Sequence, residues 1–113
     1  MKAISEKTIE KQILIWLRAQ GYKCSTKIDS TGIYDERKGL FRMASGTFKR
    51  KGVSDIYVLH KGKSIWIEVK SHKGRLSDNQ KEWLNDVNAA GGIGIVARSI
   101  DDVAIVFKTL FRA

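Results

Sequence analysis

Proline is absent from this 113-residue chain, and cysteine occurs once, at Cys24. Without proline, the ends of helices and strands must be marked by glycines and capping residues. A single thiol cannot close an internal disulfide, and no second cysteine supplies zinc-ligand spacing. The two histidines, His60 and His72, have no metal-site spacing either. The chain therefore reads as an intracellular, cytoplasmic protein of a reducing compartment. No apolar run approaches the roughly 18 residues of a membrane span, so no membrane partner is expected. The segment Met1-Lys2-Ala3-Ile4-Ser5-Glu6-Lys7 is charged and has no apolar stretch, so no secretory signal is expected. No repeat, low-complexity tract or linker divides the chain, and its length suits one domain over 1–113.

What the chain has in excess is positive charge: 21 Lys and Arg against 12 Asp and Glu, a formal +9 and a pI near 9.9. Such an excess on a small domain suits a polyanion partner, through long-range attraction and counterion release. Solubility alone is the plainer account. The placement favours the first, because the cations are clustered and no acidic tail offsets them. Arg37, Lys38, Arg42, Lys49, Arg50 and Lys51 fall in one glycine-containing stretch. Lys61, Lys63, Lys70, Lys73 and Arg75 follow soon after. Phosphate contacts are expected from Arg42, Lys49, Arg50, Lys51, Lys73 and Arg75.

Periodicity divides the chain into elements. From Ser5 to Gln20, the residues Ile9, Ile13, Trp16 and Leu17 can share a helix face, with Ser5 as N-cap and Gly21 as the stop. Tyr22 to Ile28 reads as a short strand that Cys24 helps to pack. Asp29 to Lys51 reads as loops or an exposed hairpin. Asp55–His60 and Ser64–Lys70 are strands joined by a tight turn at Lys61-Gly62-Lys63. Ser77 caps a helix running to about Ala90, Gly94–Arg98 is a strand, and Ser99 caps a last helix over Ile100–Leu110. The expected fold is α/β, a single mixed sheet flanked by helices in the order α-β-β-β-α-β-α.

The central hairpin carries the chemistry. Side chains alternate along a strand, so Ile65, Ile67 and Val69 face one way while Trp66, Glu68 and Lys70 face the other. Asp55 begins the partner strand near the point where the second strand ends. Asp55, Glu68 and Lys70 can therefore converge. Two carboxylates there can hold a hard divalent cation, which activates water for attack on a phosphate. A lysine alongside can orient that water or offset developing negative charge. The parts suit phosphodiester hydrolysis, although a solvent-facing Glu-x-Lys pair on a strand also occurs by chance. Trp66 is expected to pack beneath the helix that follows. The run Val103-Ala104-Ile105-Val106-Phe107, with Leu110 and Phe111, is apolar around more of its helix than one core-facing stripe needs. The surplus is either an interface or additional core.

The segments Lys51-Gly52-Val53-Ser54-Asp55-Ile56, Ile67-Glu68-Val69-Lys70 and Gly74-Arg75-Leu76-Ser77-Asp78-Asn79-Gln80, with Gly91-Gly92 before a strand, resemble the VRR-NUC (virus-type replication–repair nuclease) family of the PD-(D/E)XK nuclease superfamily. The resemblance runs from about Ile4 to Asp102. It implies a restriction-endonuclease-like core and a structure-selective DNA endonuclease using magnesium or manganese. By this resemblance Asp55 and Glu68 are metal-binding carboxylates, Val69 lends its backbone carbonyl, Lys70 is the catalytic lysine and Gln80 approaches the site from the following helix. A glutamate on the first helix completes the set. Glu10 is the candidate, by its distance from Gly21, and Glu6 lies one turn earlier on the same face. Ser54 stands where the superfamily nominally has proline, a position that donates no ligand. The resemblance further implies branched DNA such as four-way (Holliday) junctions, a role in DNA repair, a standalone phage or bacterial protein, and a homodimer. The alternatives are a less selective nuclease or nickase, and a non-catalytic DNA-binding module on the same fold.

Overall fold

The computed structural model describes residues 4–28, 33–35, 40–42 and 50–112. In chain order the elements are α1 (Glu6–Ala19), β1 (Ser25–Lys27), β2 (Ile33–Asp35), β3 (Leu40–Arg42), β4 (Ile56–His60), β5 (Lys63–Val69), α2 (Asp78–Ala89), β6 (Ile93–Ala97) and α3 (Ile100–Leu110). One four-stranded sheet runs β1-β4-β5-β6. It is antiparallel except for the β5–β6 pair. β2 and β3 pair antiparallel as a separate two-stranded sheet, within the stretch expected to hold loops or a hairpin. The mixed sheet with flanking helices is the expected architecture.

Local chemistry accounts for the element ends. Ser5 caps α1, its hydroxyl accepting from Thr8 N at 3.2 Å. Ile9, Ile13 and Leu17, four residues apart, form its buried stripe. Ser99 caps α3 in the same way, accepting from Asp102 N at 3.3 Å. β4 and β5 are joined by the two-residue turn Lys61-Gly62, whose φ angles are 49° and 78°. Two successive positive φ values match the right-handed twist of the flanking strands, and β5 accordingly begins at Lys63.

The core lies between the sheet and the α1/α3 layer. Ile56, Val58, Ile65, Ile67 and Val69 from the sheet meet Ile9, Ile13 and Leu17 of α1 and Val103 and Phe107 of α3. Each fully buried aliphatic or aromatic side chain contributes roughly 1.5–3 kcal/mol. The opposite face of β5 meets α2: the Trp66 ring sits 5.1 Å from Trp83, edge to face, as the alternation along β5 predicts. Val106, Leu110 and Phe111 pack against the core. Most of the apolar surplus of α3 is thus used within the chain, and Ile105 is left 66% exposed.

Two expectations are corrected. β1 is shorter than Tyr22–Ile28, and Cys24 precedes it, exposed rather than packed. The cause is the sheet edge: Cys24 is tied to β4 through its backbone carbonyl, which accepts from Leu59 N at 2.9 Å. Among the described residues, no helix is long and apolar enough to cross a membrane.

Candidate active site at one end of the sheet

The β4–β5 register pairs Tyr57 with Trp66 and Ile56 with Ile67. One step further along the same register brings Asp55 opposite Glu68. Asp55 is anchored twice. Its carbonyl accepts from Ile28 N at 2.7 Å, and its Oδ2 accepts from Val69 N at 2.8 Å. The short ladder from β1 through β4 to β5 thus fixes both the backbone and the carboxylate of this residue.

Glu68 is 1% exposed, and its Oε2 has no hydrogen-bond partner among the described residues. Burial, first, and then the charge and hydrogen bonding of Asp55 push its carboxyl up to about 8; Lys70 pulls the other way and Glu6 adds a further push. A buried carboxylate beside a second carboxylate is poor at holding negative charge unless a cation joins the pair. Lys70 is half-buried at the end of β5.

Two glycines allow close approaches in the segments flanking this pair. A Cβ on Gly52 would stand 2.4 Å from the backbone carbon of Asn79 and 2.7 Å from Gln80 N, so the loop leading to Asp55 lies directly on the first turn of α2. Gly52 also has φ +82°, which disfavours any side chain. A Cβ on Gly74 would stand 3.2 Å from Glu6 Oε1 and 3.4 Å from Lys70 Cδ. The first helix therefore brings Glu6 to the turn after β5, beside the lysine stem.

The structure places the remaining expected site residues as follows. Glu10 forms an ion pair with Lys27 of β1 at 3.3 Å. Gln80 spends its side-chain oxygen on its own helix, accepting from Ser77 N at 2.9 Å while Ser77 Oγ accepts from Gln80 N at 3.2 Å. This is the capping box that an S-x-x-Q sequence encodes. Arg50 forms an ion pair with Asp86 of α2, with its guanidinium 5.1 Å above the Trp83 ring. Lys51, Lys73 and Arg75 are exposed. Arg37, Lys38, Lys49 and the side chain of Arg42 lie outside the described residues. One residue that sequence reasoning missed borders the site: Arg98, whose guanidinium donates to the backbone of the turn after Lys70.

Among the described residues, no three His, Cys, Asp or Glu side chains stand together as a ready-made metal cage. Asp55 and Glu68 nevertheless suit a hard cation, because the two carboxyls act on one another and Glu68 Oε2 is buried without a partner among the described residues. Magnesium commonly takes one or two carboxylates and completes its shell with water.

The fold is an α/β mixed sheet with two acidic side chains and a lysine brought to the open end of an antiparallel hairpin. The sequence matches the VRR-NUC domain family over residues 4–101, and the chain belongs to that family. Among solved structures it is similar to a "VRR_NUC domain protein" at 18% identity, with a TM-score of 0.67, covering 95% of this chain and 88% of that one. A comparison with curated proteins returns no match. Membership implies a nuclease of the PD-(D/E)XK type with DNA as its substrate.

Proposed function

We propose that the protein is a divalent-metal-dependent endonuclease that cuts branched DNA, such as four-way junctions, as a homodimer. The observation that carries the reading is the Asp55–Glu68 pair, whose glutamate oxygen, near Lys70, is buried and has no partner among the described residues. Asp55, Glu68 and the Val69 carbonyl would hold magnesium or manganese. The ion, when bound, supplies a more acidic water and positive charge for the phosphate.

The protein's own groups do the rest. Asp55 is held by Val69 N, so its carboxylate enters the reaction already oriented. The Lys70 ammonium offsets charge developing on the phosphate. Glu6 is the helix-borne carboxylate that best fits the set, because its charge bears on Glu68 while Glu10 is paired with Lys27. Gln80 serves the site through the α2 cap. Lys51, Lys73 and Arg75 contact phosphates. Arg50, tied to Asp86, holds the loop that leads to Asp55 against α2 instead.

The reading is tested by a cleavage panel of single strands, duplex, flaps and four-way junctions with magnesium, manganese or EDTA. Light scattering reads the assembly state in parallel. Metal-dependent cutting of junctions in preference to duplex, by a dimer, is expected. Equal cutting of duplex and junction would reduce the protein to a less selective nuclease. Full activity in EDTA would remove the metal, and DNA binding without any cleavage would leave a binding module.

A further inference from the structure

The backbone leaving β5 is gathered by a side chain from the end of the neighbouring strand. Lys70 N donates to the Ala97 carbonyl at 3.0 Å, so β5 and β6 stay paired to the last residue of the Glu68-Val69-Lys70 motif. Beyond it the chain turns, closed by Gly74 N donating to the Ser71 carbonyl at 3.1 Å. Arg98 reaches this turn from the residue after β6. Its Nη1 donates to the Ser71 carbonyl and to that of Gly74 at 2.7 Å, with the His72 carbonyl at 3.5 Å. Arg98 is itself braced: its backbone N donates to Asp102 Oδ2 at 2.8 Å in the first turn of α3, and the next residue caps that helix.

Carbonyl oxygens drawn to one spot repel each other and lose hydration. The contacts converge on one guanidinium nitrogen, Nη1, whose two N–H bonds serve the Ser71 and Gly74 carbonyls and whose charge is permanent; a lysine stem is shorter and more flexible. The turn so held follows Lys70 directly, bears the exposed Lys73 and precedes the exposed Arg75. Its Gly74 is also the surface on which the Lys70 stem and the Glu6 carboxylate rest.

We infer that Arg98 is a positioning residue: by collecting the carbonyls of the 71–74 turn it sets the placement of Lys70, Glu6 and the phosphate-facing cations. Its effect on cleavage rests on the nuclease reading above; the clamp itself does not. The test compares Arg98→Met and Arg98→Lys with the wild-type protein by two measurements. The first is amide hydrogen exchange at Gly74 without DNA, with the core amides of Ile13 and Leu17 as reference. The second is single-turnover cleavage at saturating junction DNA with magnesium, with Asp55→Ala as the zero.

Exchange at Gly74 should accelerate by roughly tenfold in Arg98→Met, reflecting local opening, while the core amides stay protected. Its cleavage should slow by on the order of 10²-fold, as expected for a displacement of about 1 Å. Arg98→Lys should fall between Arg98→Met and wild type on both readings. Guanidinium ion should restore part of the Arg98→Met rate where sodium at equal ionic strength does not. Unchanged protection at Gly74 in a folded variant overturns the inference, and so does a wild-type rate at saturating DNA. If Arg98→Met does not fold, Arg98→Lys decides by the same two readings. If the wild-type protein itself shows no metal-dependent cleavage, the nuclease reading falls and hydrogen exchange alone decides the clamp.

Discussion

On β5, Glu68 is buried as deeply as the apolar residues of the opposite face and does opposite work, while Ser64 and Trp66 on its own face are half-buried. Ile65, Ile67 and Val69 lie at 0–2% exposure among the side chains of α1 and α3. Glu68, between two of them in sequence and turned the other way, is 1% exposed. Burying Ile67 stabilises the fold by roughly 1.5–3 kcal/mol. Burying Glu68 as an anion opposes folding, and the residue responds by holding its proton up to about 8. One strand thus separates stability from chemistry by the parity of its residues. The apolar face supplies the rigidity against which a costly pair of carboxylates can be kept.

Substitutions on the two faces should break this comparison in different ways. Glu68→Ala should lower cleavage by on the order of 10³-fold, since a preorganised charge at the reacting centre is lost, with little change in the fold. Retained cleavage in a single-turnover assay would show that the pair is not the reacting centre. Ile67→Ala, one residue away, should do the reverse. It should cost about 2–5 kcal/mol in denaturant unfolding through the cavity it leaves, while the rate per folded molecule stays near that of the wild type.

The pH dependence sharpens the contrast. The folded-state pKa of Glu68 lies above its ordinary value of 4.5, near 8. Its contribution to stability is therefore fully present below the ordinary carboxylate range and is lost as pH rises through about 8. Metal-free wild-type protein should weaken between those limits relative to Glu68→Gln, as read by urea midpoints across a pH series in EDTA. Parallel pH profiles for the two proteins would show that Glu68 ionises normally. The smallest effect belongs to the outer cations: changing Lys51, Lys73 and Arg75 to Gln should reduce the salt slope of DNA binding by about 0.9 per lost phosphate contact. An unchanged slope would turn that surface away from DNA.

Much of this was legible in the chain because the signals are local. The hairpin follows from alternation and a Lys-Gly turn, and α1 and α3 follow from serine caps and four-residue apolar spacing. The convergence of Asp55 and Glu68 follows from hairpin geometry alone. The features that escaped depend on distance or competition. Arg98 acts on residues 24 to 27 positions earlier, and no local pattern marks an arginine whose partners are backbone carbonyls. Gln80 is readable both as the last residue of Ser77-Asp78-Asn79-Gln80, a capping-box sequence, and as a motif position; the cap is the role its side-chain hydrogen bond displays. Arg50 looked like one cation among several until Asp86 and Trp83 of α2 came to meet it. The depth of Glu68 is not readable from alternation, which assigns a face and says nothing about how thoroughly that position is covered.

The indole pair on the α2 side has a consequence for how the molecule can be watched. Trp66 lies two residues from Glu68, its ring is 4.5 Å from Tyr57 and 5.1 Å from Trp83, and Arg50 stands over Trp83. Trp16 sits across the sheet, against Phe107. A guanidinium over an indole alters its emission, so the docking on α2 of the loop that leads to Asp55 is written into the native fluorescence. The protein carries its own optical probe within reach of the carboxylate pair, and a second chromophore on the far side to calibrate it.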